Sequence, residues 1–132
     1  MDTTIEQRLV AVVEDDAGMR AALESLLRSA GFVTQTFASA EAFLRSPRLT
    51  GTAFVVSDIG LPGMSGLELQ QELARSGREI PIAFVTAETT NFNAMRAQAV
   101  SAGAIAFLQK PFDGEELLTA LRCVTTQQRR RA

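Results

Sequence analysis

The chain contains no histidine. That absence removes phosphohistidine chemistry, Ser/His triads and His-bearing metal sites together. The single cysteine, Cys123, cannot close an intrachain disulfide. No apolar stretch approaches the roughly 20 residues that span a bilayer, and the N-terminus carries no signal-peptide pattern, so a reducing, cytoplasmic setting and no membrane partner are expected. Neither sign of charge dominates. Thirteen Lys and Arg stand against fifteen Asp and Glu, a net charge of −2, which gives no general attraction to nucleic acid or anionic lipid. The one basic cluster, Arg129-Arg130-Arg131, reads as a solvated helix end or the start of a linker. No interior linker or low-complexity segment divides the 132 residues. A chain of that size hides about two-thirds of its unfolded surface in one domain; residues 1–126 are assigned to it, and 127–132 to a C-terminal tail or the start of a linker.

What is present is a regular alternation. Arg8 to Val13 is an almost unbroken apolar run, as expected of a strand covered on both faces. It stops at Glu14-Asp15-Asp16, after which Met19, Ala22, Leu23, Leu26, Leu27 and Ala30 recur at helical spacing up to Gly31. Phe32 to Phe37 is a second strand, followed by Ser39 as N-cap of a short helix ending before Pro47. Ala53 to Ser57 is a third strand, leading into a Gly/Pro-rich turn that begins with Asp58. Ser65 and Glu68 then have the spacing of a capping box and open a helix that Gly77 closes. Ile80 to Val85 is the fourth strand, Asn91 to Ser101 an Ala-rich helix expected to pack loosely, and Ala104 to Leu108 the fifth strand. Asp113 and Glu116 repeat the capping-box spacing before a last helix carrying Leu117, Leu118, Leu121 and Val124. Five βα units joined by short loops predict an α/β fold, a doubly wound five-stranded parallel sheet of flavodoxin-like order 2-1-3-4-5 with five helices.

In that order, the strand ends that carry polar residues meet at one mouth. Strand one delivers Glu14 and Asp15, strand three Asp58, strand four Thr86 and strand five Lys110; the switch point between strands one and three is where ligands bind. Three carboxylates in one mouth repel unless a cation is supplied. Mg²⁺ meets the need, since it takes a few carboxylate or carbonyl oxygens, keeps waters and completes its shell with phosphate oxygens. Three carboxylates, one divalent ion and one ammonium are formally neutral together. A phosphoryl group on Asp58 would then face the metal, Lys110 and the Thr86 hydroxyl, the parts that phosphoryl transfer requires. Singly, an Asp before a turn is commonly an Asx-turn former, an acidic pair a helix cap and a Lys-Pro a solvated loop. It is their joint placement on the right strands that points to Asp58 as a nucleophile.

Segments 12–20 (VVEDDAGMR), 57–69 (SDIGLPGMSGLEL), 85–88 (VTAE) and 103–112 (GAIAFLQKPF) resemble the signature blocks of receiver domains of two-component response regulators. Segments 39–44 (SAEAFL) and 110–113 (KPFD) are similar to the FixJ-like group, whose output domains are of the NarL/LuxR kind. The resemblance spans roughly Leu9 to Val124 and implies the CheY-like version of the fold. By resemblance, Asp58 is the phosphoacceptor, and Glu14, Asp15, Asp58 and the Gly60 backbone carbonyl hold Mg²⁺, with Mn²⁺ as a substitute. Thr86 and Lys110 contact the phosphoryl oxygens, Phe107 is the aromatic switch, and Lys110-Pro111 is a cis bond. Gly60 and Glu88 border the site and tune hydrolysis. The implied function is a phosphorylation-dependent signalling switch and not an enzyme. A sensor histidine kinase or phosphotransfer protein is the donor, and a homodimer through the fourth helix, fifth strand and fifth helix is an expected response. Transcription is the expected purpose, through an output domain beyond Ala132, with no direct nucleic-acid contact by these residues. Two departures stand out: Glu14 where Asp is commoner, and a loop at 87–92 without the Gly-rich composition frequent in the group. The alternatives are a single-domain receiver acting as phosphate shuttle or adaptor, and a phosphorylation-independent interaction module. A small Mg²⁺-dependent phosphatase fits less well, because the acid/base Asp such enzymes place two residues after the nucleophile is here Gly60.

Overall fold

The computed structural model describes residues 8–131, with side chains through residue 124. Five parallel strands, β1 (Leu9–Val13), β2 (Val33–Phe37), β3 (Phe54–Asp58), β4 (Ile82–Thr86) and β5 (Ala106–Gln109), lie in the order β2-β1-β3-β4-β5. They alternate with α1 (Ala17–Ser29), α2 (Ala40–Leu44), α3 (Gly66–Arg75), α4 (Phe92–Ser101) and α5 (Gly114–Arg131). Fold class and strand order are as the alternation of patterns predicts.

Because side chains alternate across a strand, each of the central strands feeds two cores. Ala11, Val13, Val55, Ile82 and Phe84 face a cluster with Phe43 of α2, Leu69 and Leu73 of α3 and Ala99 of α4. Val10, Val12, Phe54, Val56 and Val85 face Leu23 and Leu27 of α1 and Leu117, Leu118 and Leu121 of α5 on the other side. Every residue of β1, β3 and β4 is buried. Both faces being covered explains why these strands read as apolar runs without alternation.

Several boundaries differ from the periodicity. β4 begins at Ile82 and not Ile80, since Pro81 has no N–H for a ladder and only its carbonyl joins the sheet, accepting from Val55 (3.0 Å). β5 runs from Ala106 to Gln109. β3 includes Asp58, which therefore stands on the sheet and not in the turn. The capping box at Ser65 is complete, with Glu68 N–H donating to Ser65 Oγ (3.1 Å) and Ser65 N–H to Glu68 Oε1 (2.9 Å). Asp113 caps α5 differently, its carboxylate accepting from Glu115 N–H (3.0 Å). α5 continues through Arg131, so backbone assigned to a tail is helical; the side chains of Arg129, Arg130 and Arg131 lie outside the described residues. α4 buries Ala99 and leaves Val100 half exposed, and Asn91 before it is left-handed (φ 62°) with no side-chain cap. Ser65→Ala removes the hydroxyl half of the box and should lower stability by about 1 kcal/mol, seen as a lower urea midpoint at unchanged m.

Candidate functional site

Register alone aligns the parts. Val13 pairs with Ser57, Ser57 with Phe84 and Phe84 with Phe107, so Glu14 and Asp58 occupy the next row together, at the carboxyl edge. One carboxylate oxygen from each of Glu14, Asp15 and Asp58 lies within 4.8 Å of the others. Asp58 is 9% exposed and Glu14 fully buried, while Asp15 faces solvent.

Lys110 reaches into this cluster from the loop after β5. Its Nζ donates to Glu14 Oε1 (2.9 Å) and Asp58 Oδ2 (3.2 Å), and its backbone N–H donates to the Thr86 carbonyl (2.7 Å), which ties the ends of β4 and β5 together. Burial pushes the Glu14 carboxyl up, with the Lys110 ammonium and Asp16 N–H opposing it. Burial works against the Lys110 ammonium too, but Glu14 and Asp58 outweigh it and hold its pKa above the ordinary value. Both Glu14 oxygens are engaged, Oε2 by Asp16 N–H (3.1 Å). The longer arm of Glu thus grips the lysine directly. Asp58 Oδ1 accepts from Gly60 N–H (3.2 Å). Thr86 is buried, and its Oγ1 accepts from Glu88 N–H (3.0 Å), which leaves the hydroxyl hydrogen available to donate elsewhere. A Cβ on Gly60 would meet nothing within 4 Å, so the space above it is open. The Lys110-Pro111 bond is cis.

The structure thus brings Glu14, Asp15, Asp58 and Lys110 together, with Thr86, Gly60 and Glu88 at the same edge. Phe107 sits below. It is 8% exposed and already packed in the core, its ring 5.1 Å from Phe92 of α4 and 6.0 Å from Phe84 of β4.

A family model, the response regulator receiver domain, matches residues 10–122. This chain belongs to that family. Among its relatives, nodulation protein W of Bradyrhizobium diazoefficiens is 43% identical over 123 residues, which is 93% of this receiver domain and 53% of that protein. The transcriptional regulatory protein FixJ of the same species is 36% identical over 120 residues, 89% of this chain and 57% of that one. The solved structure of the response regulator StyR superposes with a TM-score of 0.76 at 40% identity, covering 93% of this chain and 64% of StyR. The FixJ-like flavour read from segments 39–44 and 110–113 holds. The receiver domain spans about half the length of the curated relatives it matches. Receiver domains are signalling domains of two-component systems, partnered by histidine kinases or phosphotransfer proteins, and among the described residues no helix is long and apolar enough to cross a membrane.

Receiver domains generally bind Mg²⁺ in an acidic pocket, and the donor set here fits a hard divalent ion: carboxylate oxygens at mutual reach, no sulfur, no imidazole. Sequence patterns overlooked three residues that pack or bond around this site. Gly66, the first residue of α3, leaves so little room that a Cβ would lie 2.3 Å from the Asp58 carbonyl oxygen. Arg20 of α1 reaches back to the Glu14 carbonyl (2.8 Å) and steadies the acidic turn. Glu41 of α2 binds Met64 N–H (2.8 Å) in the loop after Asp58. Position in the fold, and no local pattern, makes them matter.

Proposed function

We propose that this receiver domain is a phosphorylation-driven switch in which Asp58 accepts a phosphoryl group from a sensor histidine kinase or phosphotransfer protein. The observation that carries the reading is Lys110 donating to Asp58 and Glu14 at once, inside the acidic cluster. An Asp58 oxygen attacks phosphorus, the bond from phosphorus to the donor's histidine nitrogen breaks, and that nitrogen keeps the electron pair. Lys110 turns its ammonium from carboxylate to the new phosphoryl oxygens, and the Thr86 hydroxyl donates from the other side. Asp15, Asp58 and the Gly60 carbonyl would hold Mg²⁺, with Mn²⁺ as a substitute, and Glu14 contributes chiefly as counter-ion to Lys110. When bound, the metal neutralises charge on the transferring group. Gly60 and Glu88 control how water reaches the acyl phosphate.

As Thr86 moves toward the phosphoryl group, Phe107 repacks. Since the ring already lies against Phe84 and Phe92, the signal is a rearrangement among three rings that shifts α4, and with it the α4-β5-α5 face on which a homodimer forms. A full reversal from 1:99 to 99:1 needs about 5.5 kcal/mol of preference for the active state. The setting is cytoplasmic, and the purpose is control of transcription, as the names of regulators among its relatives suggest, through an output domain of the NarL/LuxR kind that the resemblance implies, this domain itself making no nucleic-acid contact.

Incubation with Mg²⁺ and acetyl phosphate should add about 80 Da, one phosphoryl group, abolished by EDTA and accompanied by a dimer in light scattering. No adduct where Mg²⁺ binding is demonstrated by calorimetry would overturn the switch in favour of a phosphorylation-independent interaction module.

A further inference from the structure

The loop that follows Asp58 is irregular from residue 59 to residue 65, and it contains Gly60, Pro62 and Gly63. Its two ends are secured locally. Gly60 N–H bonds the Asp58 carboxylate (3.2 Å), and Gly66 N–H bonds the Ile59 carbonyl (2.9 Å). Its middle is secured from elsewhere, by Glu41 in the first turn of α2, whose Oε2 accepts from Met64 N–H at 2.8 Å across 23 residues of sequence.

The fit around that bond is close. Gly63 adopts φ +73°, and a Cβ there would lie 2.6 Å from the same Glu41 oxygen. The carboxylate therefore occupies the place a side chain would take, and only glycine accommodates both the backbone angle and the contact. The Met64 N–H holds the Glu41 carboxyl below the usual carboxylate range, so the acceptor is the ionised form at neutral pH. A loop with two glycines gains most from such a tie, because it would otherwise sample many backbone states.

From this geometry we infer that Glu41 is a positioning residue for the phosphoryl and metal site: by clamping Met64 it fixes the path of residues 59–64 and hence where the Gly60 backbone stands relative to Asp58. The inference rests on the proposed function for what is positioned, though the clamp itself is independent of it. Ser39, which caps α2 by accepting from Ala42 N–H (3.1 Å), supports the helix from which Glu41 reaches.

The test compares wild type, Glu41→Ala and Glu41→Gln in the 132-residue chain. Free Mn²⁺, read by electron paramagnetic resonance, reports affinity, and amide exchange of Met64 in metal-free protein reports the clamp. In Glu41→Ala, Met64 should exchange faster and Mn²⁺ bind about tenfold more weakly, the low end of what an outer-shell partner contributes. The Mg²⁺ concentration for half-maximal labelling by acetyl phosphate should rise by the same factor, with the rate at saturating Mg²⁺ preserved. Glu41→Gln keeps a neutral acceptor and should restore Mn²⁺ affinity to within about threefold of wild type. A Met64 amide unmoved in Glu41→Ala overturns the clamp; faster exchange with unchanged Mn²⁺ affinity overturns the positioning role. If Glu41→Ala fails to fold, Glu41→Leu, which keeps bulk but has no acceptor for Met64 N–H, decides, and wild-type values in both of its readouts overturn the proposal. Wild type that binds no Mn²⁺ overturns the metal reading and the positioning role together, while Met64 exchange still reports whether the clamp exists.

Discussion

Asp58→Ala should take up no phosphoryl group from acetyl phosphate, the 80 Da adduct falling to background, about one phosphoryl mass lost from every molecule. No neighbour can substitute. Glu14 is fully buried, with one oxygen given to Lys110 and the other to Asp16 N–H. Asp15 faces solvent at the rim. The variant should nonetheless fold. Asp58 contributes two long hydrogen bonds of 3.2 Å, from Lys110 and Gly60, and stands among like charges. Losing those bonds and relieving that repulsion act in opposite directions, each on the order of 1 kcal/mol. Lys110 keeps Glu14 as partner. Intact-mass spectrometry with a urea titration of the same sample measures both; an adduct surviving in Asp58→Ala would move the phosphoacceptor elsewhere.

Gly66→Ala should be the most damaging glycine-to-alanine change among the described residues. In an exposed helix interior, alanine in place of glycine stabilises by about 1 kcal/mol. Here the added carbon would sit 2.3 Å from the Asp58 carbonyl oxygen and 3.0 Å from the Ile59 Cα. Both obstacles are backbone, which no rotamer change can move aside, so α3 or the end of β3 must shift. Overpacking of this kind costs about 1–3 kcal/mol, and the upper end applies because Gly66 is buried and its N–H is committed to Ile59. A fall in the urea midpoint should come with slower phosphoryl uptake at saturating Mg²⁺, since the displaced backbone is that of Asp58, the proposed phosphoacceptor. A more stable Gly66→Ala would show that α3 slides freely and that the close approach carries no constraint.

These two residues mark what could be read from sequence and what could not. Asp58 announces itself, as a lone carboxylate at the end of a buried apolar run before a Gly/Pro turn. Glu14, Asp15, Thr86 and Lys110 became meaningful only once strand order was inferred, because the contacts run across the sheet: Lys110 meets Glu14 at a sequence separation of 96. A further signal went unused. Lys110 is the only lysine in a chain with twelve arginines, and a compact ammonium suits a site where one point charge is shared between two carboxylates. Gly66 follows the Ser65 cap in sequence, and nothing in the spacing shows that a side chain there would meet the Asp58 carbonyl at the end of the preceding strand. Glu41 likewise carries no local sign in the sequence that it reaches the Met64 N–H, 23 residues away. Phe107 could be located but its surroundings could not, since Phe92 comes from a helix whose weak pattern says little about which side it turns inward.

The distance in sequence between Glu14 and Lys110 also orders events at the ribosome. Protein synthesis runs at about 5–20 residues per second, so about 5–20 seconds separate the making of the first acidic residue from the making of the lysine that meets it. Asp58 is made part-way through that interval, before the chain has the cation, the fifth strand or the final helix. On the proposed function, a product that ends before Lys110 has the acidic residues of the site without the ammonium shared between two of them.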